Sequence, residues 1–165
     1  VYIQAAIRQE IVVQLIRNHV PVKLYGHNWD TFLTKAEILM KDNLTFIKEH
    51  VKDCGEVTYG ELPAIYNNAR LSINQLPWFK AGMHDRTPLA LMNGCVSTYM
   101  RREIPADSGV EYYSLDELEK VGEKIKSLVD DVGSMKEKVA RGVQYAEDMW
   151  SWKHWAVEFV EAAKE

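Results

Sequence analysis

Apolar residues recur every three or four positions through Ile3, Ile7, Ile11, Leu15 and Ile16, the period of a helix with one buried face. This predicts a first helix from about residue 2 to residue 18, stopped by Pro21. VKLYG then reads as a short strand over Val22 to Tyr25, closing on Gly26. Residues 30 to 53 are amphipathic only in patches and predict one or two helices without clear ends. A short strand fits Gly55 to Tyr59, and a helix fits Glu61 to Asn68 with Pro63 in its first turn. LSIN (71 to 74) predicts a buried strand, 85 to 93 a helix ended by Gly94, and CVSTY (95 to 99) the next strand. Another short strand is expected at Glu111 to Tyr113.

The pattern beyond is helical. Ser114 and Glu117 have capping-box spacing, ahead of Leu115, Leu118, Val121, Ile125 and Leu128 on one face. Ser134 and Glu137 form a second such box. Trp150, Trp152 and Trp155 load a last helix expected to pack back on the body. Strands separated by helices imply an α/β fold, a Rossmann-like three-layer sandwich with a mostly parallel sheet. No GxGxxG and no P-loop occurs in the sequence, so the usual dinucleotide and ATP signatures are missing.

Composition narrows the class. The 165 residues suit a single domain with a real core, and 47% hydrophobic with 27% charged residues is globular. A net charge of −4 argues against a general nucleic-acid binder. No apolar run approaches a membrane span, no signal-peptide pattern opens the chain, and membrane association is not evident. Cys54 and Cys95 lack metal or redox spacing, so two buried thiols in a reducing cytoplasm are expected. Val1 falls directly into the helical pattern, so the chain reads as a fragment of a longer protein.

Chemistry-bearing residues concentrate in the loop between LSIN and the next helix: Lys80, Gly82, His84, Asp85 and Arg86. A loop entering a helix N-terminus in an alternating α/β fold is a common place to hold an anion. Arg86 offers paired donors to phosphate oxygens. His84 can donate a hydrogen bond, Lys80 is long enough to reach a phosphate, and Gly82 allows close backbone approach. Asp85 is expected as the helix N-cap, leaving the amides of Arg86 and Thr87 as further donors. Trp29 and Tyr59 sit beside strand ends, where aromatic residues are more often core than stacking platform. No Asp-x-Asp motif or other metal site is indicated.

The segments GEVTYGELPAIYNNARLSIN, GMHDRTPLALMNGCV and EYYSLDELEK resemble the carboxy-terminal, donor-binding half of GT-B glycosyltransferases, in particular the group-1-like, spore-maturation-type branch. The resemblance spans roughly residues 22 to 155. It implies a domain that binds a nucleotide diphosphate sugar as donor, without a cofactor or metal, beside an amino-terminal acceptor-binding half. It places Gly26, His27 and Asn28 at the turn after the first strand, and Val57, Thr58 and Tyr59 beside the base. The run from Gly82 to Arg86 would meet the diphosphate and sugar, with Arg86 and His84 as the catalytic candidates. Leu89 stands where retaining relatives carry a ribose-binding carboxylate, and Tyr99 and Met100 stand where another acid is common. A catalytically degenerate nucleotide-binding or protein-interaction module with the same fold is therefore the alternative.

Overall fold

A computed structural model describes residues 2–73, 85–99, 105 and 107–164. The chain divides into two compact units, Val1–Glu61 with Ser114–Asp131, and Leu62–Tyr113 with Val132–Glu165.

In the first unit, α1 (Tyr2–Arg17) buries Ile11, Val12, Leu15 and Ile16, the face the periodicity predicts. Its end is set by backbone bonding. Val20 N–H donates to Leu15 O at 2.9 Å and His19 N–H to Ile16 O at 3.0 Å, with His19 at φ 53. This is the paired closure usually given to glycine, and Pro21 then follows it. Strand β1 (Val22–Leu24) runs parallel to β2 (Val51–Asp53), with Val22 opposite Val51. Between them lie α2 (Trp29–Leu39), a 3-10 turn (Lys41–Asn43) and α3 (Leu44–His50). Val12, Ile16, Leu24, Trp29, Phe32, Ala36, Ile47 and Val51 form the core.

The predicted strand at 55 to 59 is absent, and β2 lies just before it. Val51 is buried and the residues after Asp53 leave the ladder at Gly55, which has φ +66. The predicted capping box at Ser114 also differs. Ser114 Oγ accepts from Asp116 N at 3.2 Å, and Leu115–Lys120 is a 3-10 helix broken at Glu117. The α-helix proper, α6, starts at Val121 (Val121–Asp130) and buries Val121, Ile125 and Leu128. Gly122 lets α6 approach α1: a Cβ there would lie 2.2 Å from Gln14 O.

The second unit contains α4 (Leu62–Asn67) and the parallel strands β3 (Leu71–Ile73), β4 (Val96–Tyr99) and β5 (Glu111–Tyr112), in that order. Helix α5 (Arg86–Met92) connects β3 to β4 and ends at Gly94, at φ +72. Helix α7 (Val132–Trp150) packs on α5, where Gly142 leaves room for Leu91; an added Cβ would sit 2.7 Å from Leu91 Cδ2. Lys138 on α7 pairs with Glu111 on β5 at 2.7 Å.

Ser134 lies inside α7, so the second predicted capping box does not open that helix. The last prediction needs correction too. Trp150 ends α7, Ser151 caps α8 (Trp152–Ala162) by accepting from His154 N at 3.2 Å, and no residue of α8 is buried. Trp152 is 91% exposed and Phe159 78%. The aromatic spacing marks an amphipathic helix correctly, but its contact within this unit is with the end of α7, where the Trp155 ring lies edge-on to that of Trp150 at 6.4 Å.

Candidate functional site

The first group of predicted residues stands where β1 and β2 end. The parallel ladder continues past both strands: Cys54 N–H donates to Leu24 O at 2.8 Å, and Gly26 N–H to Gly55 O at 2.7 Å. Gly26 has φ +111 and Asn28 φ 65, two left-handed residues that turn the chain sharply into α2. Asn28 occupies the N-cap position of α2 with no side-chain capping bond. His27 Nδ1 is 2.7 Å from Glu56 Oε1, a pair the sequence reading did not anticipate. It joins the two strand-end loops across their mouths, and both side chains are exposed.

Val57, Thr58 and Tyr59 follow directly. Glu61 Oε2 accepts from both the Thr58 backbone N–H and the Thr58 hydroxyl, each at 2.7 Å. These are two charge-assisted bonds to one carboxylate oxygen. Both Thr58 donors are thus used inside the loop, and its hydroxyl remains able to accept. The Thr58-Tyr-Gly-Glu61 spacing is a capping-box signature, so the sequence did contain this signal. Tyr59 is exposed, whereas Trp29 is core. The Trp29 ring lies under the Arg8 guanidinium, 5.1 Å from its centroid, and Nε1–H donates to Tyr25 O at 3.1 Å. Cys54 is exposed rather than buried as expected, because it follows the strand end.

The second group belongs to the other unit. Lys80, Gly82 and His84 lie outside the described residues. Arg86 opens α5 and is exposed, while the Thr87 side chain is fully buried. Asp85 sits at the N-cap position in a helical conformation (φ −51, ψ −27) and makes no side-chain capping bond, which corrects the predicted role. A capping side chain needs extended backbone at that position to reach back to the helix amides, and Asp85 lacks it.

Beneath α5, Tyr66 packs with Ala90 and Cys95, flanked by Leu62, Ala69 and Leu89. Leu89 thus has an apolar neighbourhood at the position where the resemblance looks for a carboxylate. Burial pushes the Tyr66 phenol up, opposed by the Arg86 charge and by a hydrogen bond with Ser72. Burial likewise pushes the Cys95 thiol up to about 12. Among the described residues, no group of three His, Cys, Asp or Glu side chains is placed to hold a metal ion, and no helix is long and apolar enough to cross a membrane.

No family model and no curated sequence matches this chain. Among solved structures, the chain is similar to HepE from Anabaena, crystallised in complex with UDP and glucose. The TM-score is 0.63 at 11% identity, covering 92% of this chain and 44% of HepE. The chain therefore spans less than half the length of that structure. At this identity the likeness establishes a common fold: parallel strands joined by helices, Rossmann-like, as the alternation of elements predicts.

Proposed function

We propose that this chain is the nucleotide-sugar-binding part of a glycosyltransferase of the GT-B type, in the spore-maturation-like branch that its motifs resemble. The observation that carries this reading is the shared fold with HepE over 92% of the chain, since HepE was crystallised with UDP and glucose. The sequence motifs point independently to the same class. A protein of this kind needs a second, acceptor-binding half, here proposed to be amino-terminal; HepE is more than twice the length of the matched region.

The chemistry assigned is transfer of a glycosyl group. The anomeric C–O bond to the diphosphate breaks and the leaving oxygen keeps the electron pair, while an acceptor hydroxyl oxygen bonds to the anomeric carbon and gives up its proton to a base of the acceptor half or to the departing diphosphate. Arg86, exposed at the start of α5, is the cation proposed to meet the leaving diphosphate. A fixed guanidinium gains interaction energy as charge builds on the phosphate oxygens, which lowers the barrier rather than merely tightening ground-state binding. His84 and Lys80 are assigned to the sugar and phosphate, with the backbone around Gly82 and Thr87. Gly26, His27 and Asn28 are assigned to the donor, and Val57, Thr58 and Tyr59 to its base. No metal is assigned, because Arg86 supplies the positive charge in this scheme. Two free cysteines suit the cytoplasm as the place of action.

The experiment is ligand-observed NMR with UDP, GDP, TDP, CDP and ADP. Binding of one diphosphate that is lost in Arg86→Ala supports the reading. One observation favours a second reading: Leu89 is packed in the apolar cluster around Tyr66, where retaining relatives place a ribose-binding acid. A degenerate module with the same fold would show no transfer or hydrolysis with any common nucleotide sugar in the full-length protein.

A further inference from the structure

The peptide plane that joins Tyr25 to Gly26, just past the end of β1, is held at both of its ends. Its N–H donates to Gly55 O at 2.7 Å. In a trans peptide the C=O points the opposite way, and among the described residues β1 has no strand on that side, since it pairs with β2 alone. The Trp29 indole takes the place of a strand there: Nε1–H donates to Tyr25 O at 3.1 Å.

Rotating a peptide plane changes the ψ of the residue before it and the φ of the residue after it together. Here those residues are Tyr25 and Gly26, and Gly26 stands at φ +111. The orientation of this plane therefore sets the direction in which the chain leaves β1 and the place of the next residue, His27. His27 Nδ1 lies 2.7 Å from Glu56 Oε1. Asn28, at φ 65, is a further conformation that surrounding structure has to support, and its side chain makes no capping bond to α2. Trp29 can give that support because it is itself fixed. It is buried, Arg8 on α1 lies over its ring at 5.1 Å from the centroid, and the Phe32 ring meets it edge-on at 5.7 Å.

We propose that Trp29 is a positioning residue for His27: its indole N–H locks the Tyr25–Gly26 peptide plane and so presents the Gly26–Asn28 turn to a ligand. That the ligand is a nucleotide sugar rests on the function proposed above; the lock does not. A core tryptophan needs only its ring, so the N–H is the part under test.

Trp29→Ala would leave a cavity in the core. The test therefore replaces Trp29 by 3-benzothienylalanine, the same double ring with sulfur in place of N–H. Hydrogen exchange of the Gly26 amide, which lies in the locked plane, is compared with that of the Ile16 amide in the same core. Gly26 should exchange about fivefold faster in the variant, the equivalent of one hydrogen bond, with Ile16 unchanged. Unchanged Gly26 exchange overturns the proposal, as does equal acceleration at both amides, which would report a general loss of stability. Titration with UDP separates the lock from its use. If UDP binds the wild-type chain, the variant should bind it about fivefold more weakly, and equal affinity would overturn the positioning role. If UDP does not bind the wild-type chain, the functional reading fails while Gly26 exchange still decides the lock.

Discussion

Glu61 turns back on Thr58 so that a single carboxylate oxygen accepts the residue's backbone N–H and its hydroxyl, both at 2.7 Å. Together these bonds hold the Glu61 pKa below its ordinary value of 4.5. A carboxyl whose folded pKa is lowered stabilises the fold above the unfolded value and loses that contribution as pH falls through the folded one. Acid unfolding of the wild type should therefore show an added loss of stability below about pH 4.3, the unfolded glutamate range. Glu61→Gln should flatten that limb. Identical acid limbs in both proteins would mean that the bonds do not persist in solution.

Gly109 separates two kinds of glycine in this chain. It has φ +76, and a Cβ there would lie 2.3 Å from Lys138 O and 2.5 Å from Gly142 N, backbone atoms of α7 that cannot step aside. Gly109→Ala should cost about 3 kcal/mol or more by denaturant unfolding, from overpacking added to a strained φ. At Gly60 nothing lies within 4 Å, and Gly60→Ala should change stability by no more than about 1 kcal/mol in either direction. Equal losses at both positions would contradict the close approach of α7 to the residues before β5.

The two cysteines should differ in reactivity. Cys54 is exposed, while Cys95 is buried with its thiol pushed up to about 12. Since the thiolate is the reactive species, a disulfide reagent at pH 8 should titrate one thiol quickly in the native protein and the second only after unfolding. Two fast equivalents would place Cys95 outside the core.

Exposed α8 makes a further prediction. Trp152→Ser and Phe159→Ser should each change unfolding free energy by no more than about 0.5 kcal/mol, whereas Leu91→Ala, at a buried contact with α7, should cost about 3 kcal/mol. Large losses at Trp152 or Phe159 would mean that α8 is packed in solution.

Segments with a strong period or a hard stop were legible. Helix α1, strand β1 and the α5–Gly94–β4 passage fall within a residue or two of expectation, because Pro21 stands just past the closure of α1 at His19 and Gly94 takes the positive φ that ends α5. The stretch from α2 to β2 resisted, since its helices are joined by a 3-10 turn and only Trp29, Phe32, Ala36 and Ile47 are buried along their length. Caps were the weakest guide. Ser114 does cap, but a broken 3-10 helix rather than the α-helix expected, while Ser134 lies inside α7 and Asp85 has a helical backbone that keeps its side chain from capping. Thr58 and Glu61 have the same spacing and do bond to each other, in the segment where a strand is expected. His27 and Glu56 are 29 positions apart, and only the parallel pairing of β1 with β2 brings them together.

In the proposed function this chain holds a nucleotide sugar through its diphosphate, with Arg86 as the cation. The most direct test is a UDP titration of the wild-type chain against Arg86→Ala, with thermal unfolding run on both to show equal folding. Saturable UDP binding is expected for the wild type, with a loss of affinity of about tenfold or more in the variant, as for removal of a charge-assisted contact. Equal affinity in the two folded proteins would contradict the role given to Arg86.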